Sequence, residues 1–89
     1  MVNNRRSELE IMSKILTLSK EGAKKTELLY QGNLSDTQLK NYLSFLLERN
    51  ILEENIISNN GNSSKCYKPT EKGLIFLKDV NKVIVHLTL

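Results

Sequence analysis

The sequence predicts an α+β domain: three helices, a two-stranded hairpin and a closing helix. Three observations carry this reading. Residues 25–47, K-T-E-L-L-Y-Q-G-N-L-S-D-T-Q-L-K-N-Y-L-S-F-L-L, divide into two apolar-periodic segments around Gly32-Asn33, with Ser35 and Gln38 spaced as a capping box. Asn60-Gly61 lies between two strand-like runs, the strongest short-range hairpin signal a sequence offers. Pro69 then stops a strand, because it has no N–H for the ladder, and Thr70 offers a helix cap.

Taken in order, Ser7 and Glu10 form a possible capping box for a first helix. Leu9, Met12, Ile15 and Leu16 mark its inner face, it ends near Lys20, and Gly22 terminates it. Ala23, Lys24 and Lys25 form a short extended link able to pair as a minor strand. Thr26 is a natural cap for a short second helix carrying Leu28, Leu29 and Tyr30. The third helix runs from Asp36 to about Arg49 and stops at Asn50, a residue that tolerates the left-handed conformation. Leu39, Tyr42, Leu43 and Leu46 fall on one face of it, and Thr37, Lys40, Asn41 and Ser44 on the other. Tyr30 and Tyr42 are expected to pack in the core with their hydroxyls at its edge. Ile51 to Ser58 reads as a strand, Ser58 to Ser64 as the hairpin loop, and Lys65 to Lys68 as the returning strand. A fourth helix begins at Glu71.

The last ten residues support two readings. Leu77, Val80, Ile84 and Leu87 are spaced as one helical stripe, whereas Val83, Val85, Leu87 and Leu89 alternate as a strand would. With no Gly, Pro or turn signal after Gly73, helix is the favoured reading. The chain then divides into a domain at 5–78 and a helical extension at 79–89, whose stripe of Leu77, Val80, Ile84 and Leu87 is expected to join two copies.

At 89 residues such a domain buries only a modest core. Its 39% hydrophobic and 26% charged residues are a globular composition, with no bilayer-spanning run. Arg5 and Arg6 are followed by Glu8 and Glu10, not by an apolar run, which argues against a leader peptide. The lone Cys66 forms neither a disulfide nor a metal site by itself and is expected as a small buried hydrophobe. Together these suggest a cytoplasmic protein. A net charge of +3 permits a polyanionic partner without requiring one, so the placement of charge has to decide.

The outer face of the third helix places that charge. It is polar, mostly uncharged and rich in amide and hydroxyl groups, which suit the reading of base edges and phosphates better than the Glu/Lys pairs of an ordinary solvated face. Lys24 and Lys25 precede the second helix, where they can meet a phosphate beside its amino terminus or serve only as a solubilising link. Gln38 is wanted twice, by the capping box and by a groove. Asp36 is expected as a first-turn acid that favours the helix dipole. With no Gly-rich phosphate loop and no nucleophile motif, and with one His (His86) and one Cys twenty positions apart, an enzyme is not indicated. The sequence calls for no cofactor, metal, membrane or small-molecule ligand.

The predicted order of helix, short strand, helix, helix, strand, strand and helix is that of a winged helix-turn-helix domain. G-A-K-K-T-E-L-L-Y at 22–30, N-L-S-x-x-Q-L-x-x-Y-L-x-x-L at 33–46 and Y-K-P-T-E-K-G-L-I-F-L at 67–77 resemble the small archaeal winged-helix regulators, including ten-kilodalton chromatin-type proteins. The resemblance covers residues 5–78 and implies a homodimer on double-stranded DNA, nucleoid-associated, with the third helix in the major groove and the hairpin wing on the backbone or minor groove. Carried onto this chain, Thr37, Gln38, Lys40, Asn41 and Ser44 face the groove, and Asn60, Asn62, Ser64 and Lys65 lie on the wing. Those chromatin-type relatives join through a long carboxyl-terminal helix, and this chain has only about twenty residues there. The rival is a winged helix that binds protein, since a fold does not dictate its ligand. A continuous positive surface from Arg5, Arg6, Lys24, Lys25, Lys40 and Lys65 favours DNA, and scattered charge favours protein.

Overall fold

The computed structural model describes the backbone of residues 4–88 and the side chains of residues 8–58 and 60–86. Its elements are α1 (Asn4–Leu18), α2 (Lys25–Gly32), α3 (Asp36–Glu48), β1 (Leu52–Asn59), β2 (Asn62–Pro69) and α4 (Glu71–Thr88). This is the expected architecture of a three-helix core, a hairpin wing and a carboxyl-terminal helix.

Two helix starts differ from expectation, and β2 begins at Asn62 instead of Lys65, so the hairpin loop is shorter than Ser58 to Ser64. Helix α1 begins at Asn4, so Ser7 lies inside it and is no cap. Nothing in Asn4-Arg5-Arg6 breaks a helix, and arginine propagates one well. Thr26 is also inside its helix. The N-cap of α2 is Lys24, with extended backbone at φ −82° and ψ 159°, and its N–H donates to the Glu27 carboxylate at 2.9 Å. An acid three residues into the helix satisfies that orphan donor and complements the helix dipole whatever the capping side chain.

The ends follow one device used twice. Asn33 (φ 54°) and Asn50 (φ 61°) are both left-handed. Behind them the Leu34 N–H donates to the Leu29 carbonyl (3.2 Å) and the Ile51 N–H to the Leu46 carbonyl (2.9 Å), the six-residue closure of a Schellman turn. Asparagine adopts this conformation at lower cost than other side-chain-bearing residues, so it replaces the usual glycine. Asn60 (φ 53°) and Gly61 (φ 81°) have the two positive φ values of a type I′ hairpin turn, and β1 and β2 pair antiparallel from Leu52 with Pro69 to Asn59 with Asn62. The expected minor strand is a single bridge, with Ala23 and Tyr67 exchanging two backbone hydrogen bonds at 2.9 and 2.7 Å.

The core is Ile15 and Leu16 of α1, Leu28 of α2, Leu39, Leu43 and Leu46 of α3, Leu52 and Tyr67 of the hairpin and Leu77 of α4. Tyr30 is not part of it: the side chain is 83% exposed. Leu28 takes the inward position of this eight-residue helix, and a residue two places on points to the opposite side. Tyr42 is half-buried as expected; burial, and then the nearby Glu8 carboxylate, raise its hydroxyl pKa above the ordinary tyrosine value.

The closing segment is helix through Thr88, continuous across 78–79, and the strand alternative is not realised. It also finds more to pack against than its position in the chain suggests. Leu77 and Val80 are only 4% and 5% exposed, and the Ser13 hydroxyl of α1 donates to the Asn81 side-chain oxygen at 2.7 Å. The partner surface is α1, which packs along α4. Half of the expected intermolecular stripe is therefore already covered within the chain.

Candidate nucleic-acid interface

Helix α3 is held in place at both ends. At its start the Gln38 N–H donates to the Ser35 hydroxyl and the Ser35 N–H donates to the Gln38 side-chain oxygen, both at 3.1 Å. At its end the Thr70 hydroxyl donates to the Asn50 carbonyl (2.6 Å) and accepts from the Gly73 N–H (2.9 Å), while the Lys72 ammonium donates to the Arg49 carbonyl (3.0 Å). The start of α4 thus clamps the end of α3. Arg49 also lies over the Phe45 ring, 4.6 Å from its centroid.

Between these anchors Leu39, Leu43 and Leu46 are buried while Thr37, Lys40, Asn41 and Ser44 are all exposed. The exposed face offers hydroxyls, an amide and an ammonium on a rigid rod. Gln38 is exposed too, but the capping box engages its oxygen, leaving the amide N–H groups for a ligand. Gln38 and Asn41 border an open groove with Glu8, Met12, Tyr42 and Phe45, so an acid of α1 stands beside the expected reading face.

A second groove brings together residues far apart in sequence. Lys24, Asn60, Asn62 and Ser64 share it with Ile57 and Ser63, joining the start of α2 to the wing. Two other expected cations are occupied. The Lys25 ammonium lies 3.3 Å from the Asp36 carboxylate, and Lys65 lies 3.8 Å from Glu54. Both Lys25 and Asp36 are largely exposed, so their pairing is worth little in stability and is easily exchanged. Glu54 also accepts from the Tyr67 hydroxyl at 3.0 Å; burial first, then this bond and the carboxylate charge, raise the Tyr67 pKa.

Arg5 and Arg6 lie on α1, and Leu87 on α4, but their side chains are outside the described residues. Ile84 is half-buried, and Cys66 is half-buried rather than buried, close beside Gly22. Sequence reasoning missed Glu8 and the isoleucines Ile56 and Ile57, which are 67% and 47% exposed on the wing. Two adjacent isoleucines break strand alternation, and that was the available signal. Among the described residues no group of three His, Cys, Asp or Glu side chains is arranged to hold a metal, and no helix is long and apolar enough to cross a membrane.

No curated protein matches the chain in sequence. Among solved structures it is similar to Sso10a-2, a DNA-binding protein from Sulfolobus solfataricus, at 26% identity and a TM-score of 0.75, over 89% of this chain and 79% of that one. A PadR-like transcriptional regulator from Bacillus cereus shares the fold at 17% identity and a TM-score of 0.80, over 97% and 90%. The SSV1 protein F-93 does so at 20% identity and a TM-score of 0.65, over 89% and 88%. The family model described as winged helix-turn-helix matches residues 5–87, nearly the whole described chain. The chain belongs to the winged helix-turn-helix family.

Proposed function

We propose that this chain binds double-stranded DNA as a homodimeric transcriptional regulator, cytoplasmic and nucleoid-associated, with α3 in the major groove. The observation that carries the reading is the face of α3, where Thr37, Lys40, Asn41 and Ser44 stand exposed on a helix capped and clamped at both ends. Similarity to Sso10a-2, a DNA-binding protein, supports it. On the other side, Lys25 and Lys65 are paired with acids, which dilutes the positive surface and favours a protein partner. A duplex titration separates the two.

On this reading Asn41 and Lys40 do different work. An asparagine amide bonds adenine in a bidentate fashion, so Asn41→Ala is expected to cost about 1–3 kcal/mol on a preferred site and much less on random DNA. A lysine on a phosphate carries no sequence information, so Lys40→Ala weakens both and makes the salt slope shallower by about one unit per protomer. Preferred sites come from selection in a random duplex pool, followed by titration of each variant. Equal losses on both DNAs for Asn41→Ala would remove it as a reader and favour a chromatin coat over a site-specific regulator.

The dimer seam is proposed along the outer flank of α4. Leu77 and Val80 face the chain's own core, which leaves Val83, 45% exposed, as the residue of this flank for a second copy. Val83→Asp puts a charge in that seam without touching the core. It is expected to give a monomer of unchanged helical content that binds DNA far more weakly, since one of two half-site contacts is lost. Sedimentation equilibrium with circular dichroism tests this. A variant that stays dimeric, or a monomeric parent, places the seam elsewhere or removes it.

A further inference from the structure

The open groove between α1 and α3 has a chemistry that duplex binding leaves unexplained. Glu8 and Met12 lie four residues apart on one face of α1, and Gln38, Asn41, Tyr42 and Phe45 follow the i, i+3, i+4, i+7 spacing of one flank of α3. Together they line a groove of about 350 Å³. Its wall is apolar and aromatic: Phe45 is 39% exposed, and Met12 and Tyr42 are half-buried. Glu8 is the only ionised side chain lining it among the described residues, and it forms no salt bridge with any of them. The helix dipole stabilises an acid only in the first turn, and Glu8, with α1 starting at Asn4, lies beyond it. Beside the proposed DNA-reading face the same carboxylate repels phosphate.

We propose that this groove is a binding site for an aromatic organic cation, and that a cation seated there excludes the duplex. The Glu8 carboxylate supplies the opposite charge, and the electron-rich faces of Tyr42 and Phe45 attract a cation while packing against its rings. Phe45 already holds a cation of the chain itself, with the Arg49 guanidinium 4.6 Å from the ring centroid. Met12 adds a polarisable thioether that adapts to aromatic bodies of different outline. An anion of the same shape is refused by Glu8, and a cation without an apolar body finds too little to pack against. The carboxylate is felt at the aromatic wall, where burial first and then Glu8 raise the Tyr42 hydroxyl pKa. Gln38 and Asn41 couple the site to the duplex, because they border the groove and also stand on the expected reading face. A ligand over Asn41 takes the space of a base edge. The exclusion rests on the DNA-binding reading above, whereas the site itself does not.

The test titrates the full chain, in sodium buffer, with tetraphenylphosphonium, with tetraphenylborate, an anion of the same shape, and with tetramethylammonium. Two-dimensional amide NMR reads binding without DNA. Tetraphenylphosphonium is expected to shift Met12, Asn41 and Phe45 most, and the other two ions to bind about tenfold more weakly. Glu8→Gln, a substitution of equal size at an exposed position, is expected to weaken tetraphenylphosphonium about fivefold. In a fluorescence-anisotropy titration tetraphenylphosphonium is expected to displace a selected duplex, and Glu8→Gln to raise the concentration required about fivefold. No phosphonium binding at the groove, equal binding of phosphonium and borate, or full affinity in Glu8→Gln overturns the site. Simultaneous binding of phosphonium and duplex overturns the exclusion. Failure to bind any duplex, with phosphonium still held in the groove, overturns the DNA-binding reading and leaves the cation site standing.

Discussion

The affinity of the protein for duplex DNA is expected to fall about a thousandfold between 50 and 200 mM salt. Each neutralised phosphate releases condensed counterions and contributes a slope of about −0.9 in log K against log salt. Lys24 and Lys40 are exposed on the proposed interface, and Arg5 and Arg6 are the other candidates. Lys25 and Lys65 are less available, each with an acid within ion-pair reach. Some three contacts per protomer, doubled in a dimer, give a slope of roughly −5 and hence the thousandfold loss. Affinity that stays flat across this range in an anisotropy titration removes DNA as the partner and leaves the protein-binding reading.

Gly73→Ala is expected to be the most damaging methyl addition in the chain. A β-carbon at Gly73 would collide with the Ile51 carbonyl oxygen, with the Ile51 carbonyl carbon 3.0 Å and the Pro69 side chain 3.3 Å away. These neighbours are fixed. The Ile51 carbonyl accepts the Thr70 N–H at 3.1 Å, and Thr70 at the same time caps α4 and ties the Asn50 carbonyl, so relief requires the α3–α4 joint to open. Overpacking against backbone costs about 3 kcal/mol, a large share of the stability of a small domain. Gly32→Ala is the control, because its β-carbon meets only the flexible Leu34 side chain at 3.3 Å, and it is expected to change stability by less than about 1 kcal/mol. Urea melts of the two variants decide the matter. A Gly73→Ala protein as stable as its parent would show that the joint is looser than its hydrogen bonds indicate. Loss of the joint would also misplace α3, so DNA affinity is expected to fall with stability.

What could be determined from sequence was whatever hydrogen bonds and backbone angles settle within four or five residues. The Ser35/Gln38 box, the turn at Gly32-Asn33, the left-handed Asn50, the Asn60-Gly61 turn and the Thr70 cap are local arrangements, and each is found where its residues place it. Spacing likewise separated the buried and exposed faces of α3, because the rest of the chain covers one side of that helix. Tertiary structure decided everything that depends on what lies opposite. Tyr30 faces outward because Leu28 occupies the inward position, and Val80 is buried in a helix that packs along α1. It also paired Lys25 with Asp36, closed the Gly73–Ile51 approach and left Ile56 and Ile57 bare on both faces of the wing. Periodicity shows that a side chain has a preferred side; burial needs a neighbour, and the neighbours here come from up to 68 positions away, as Ser13 and Asn81 do.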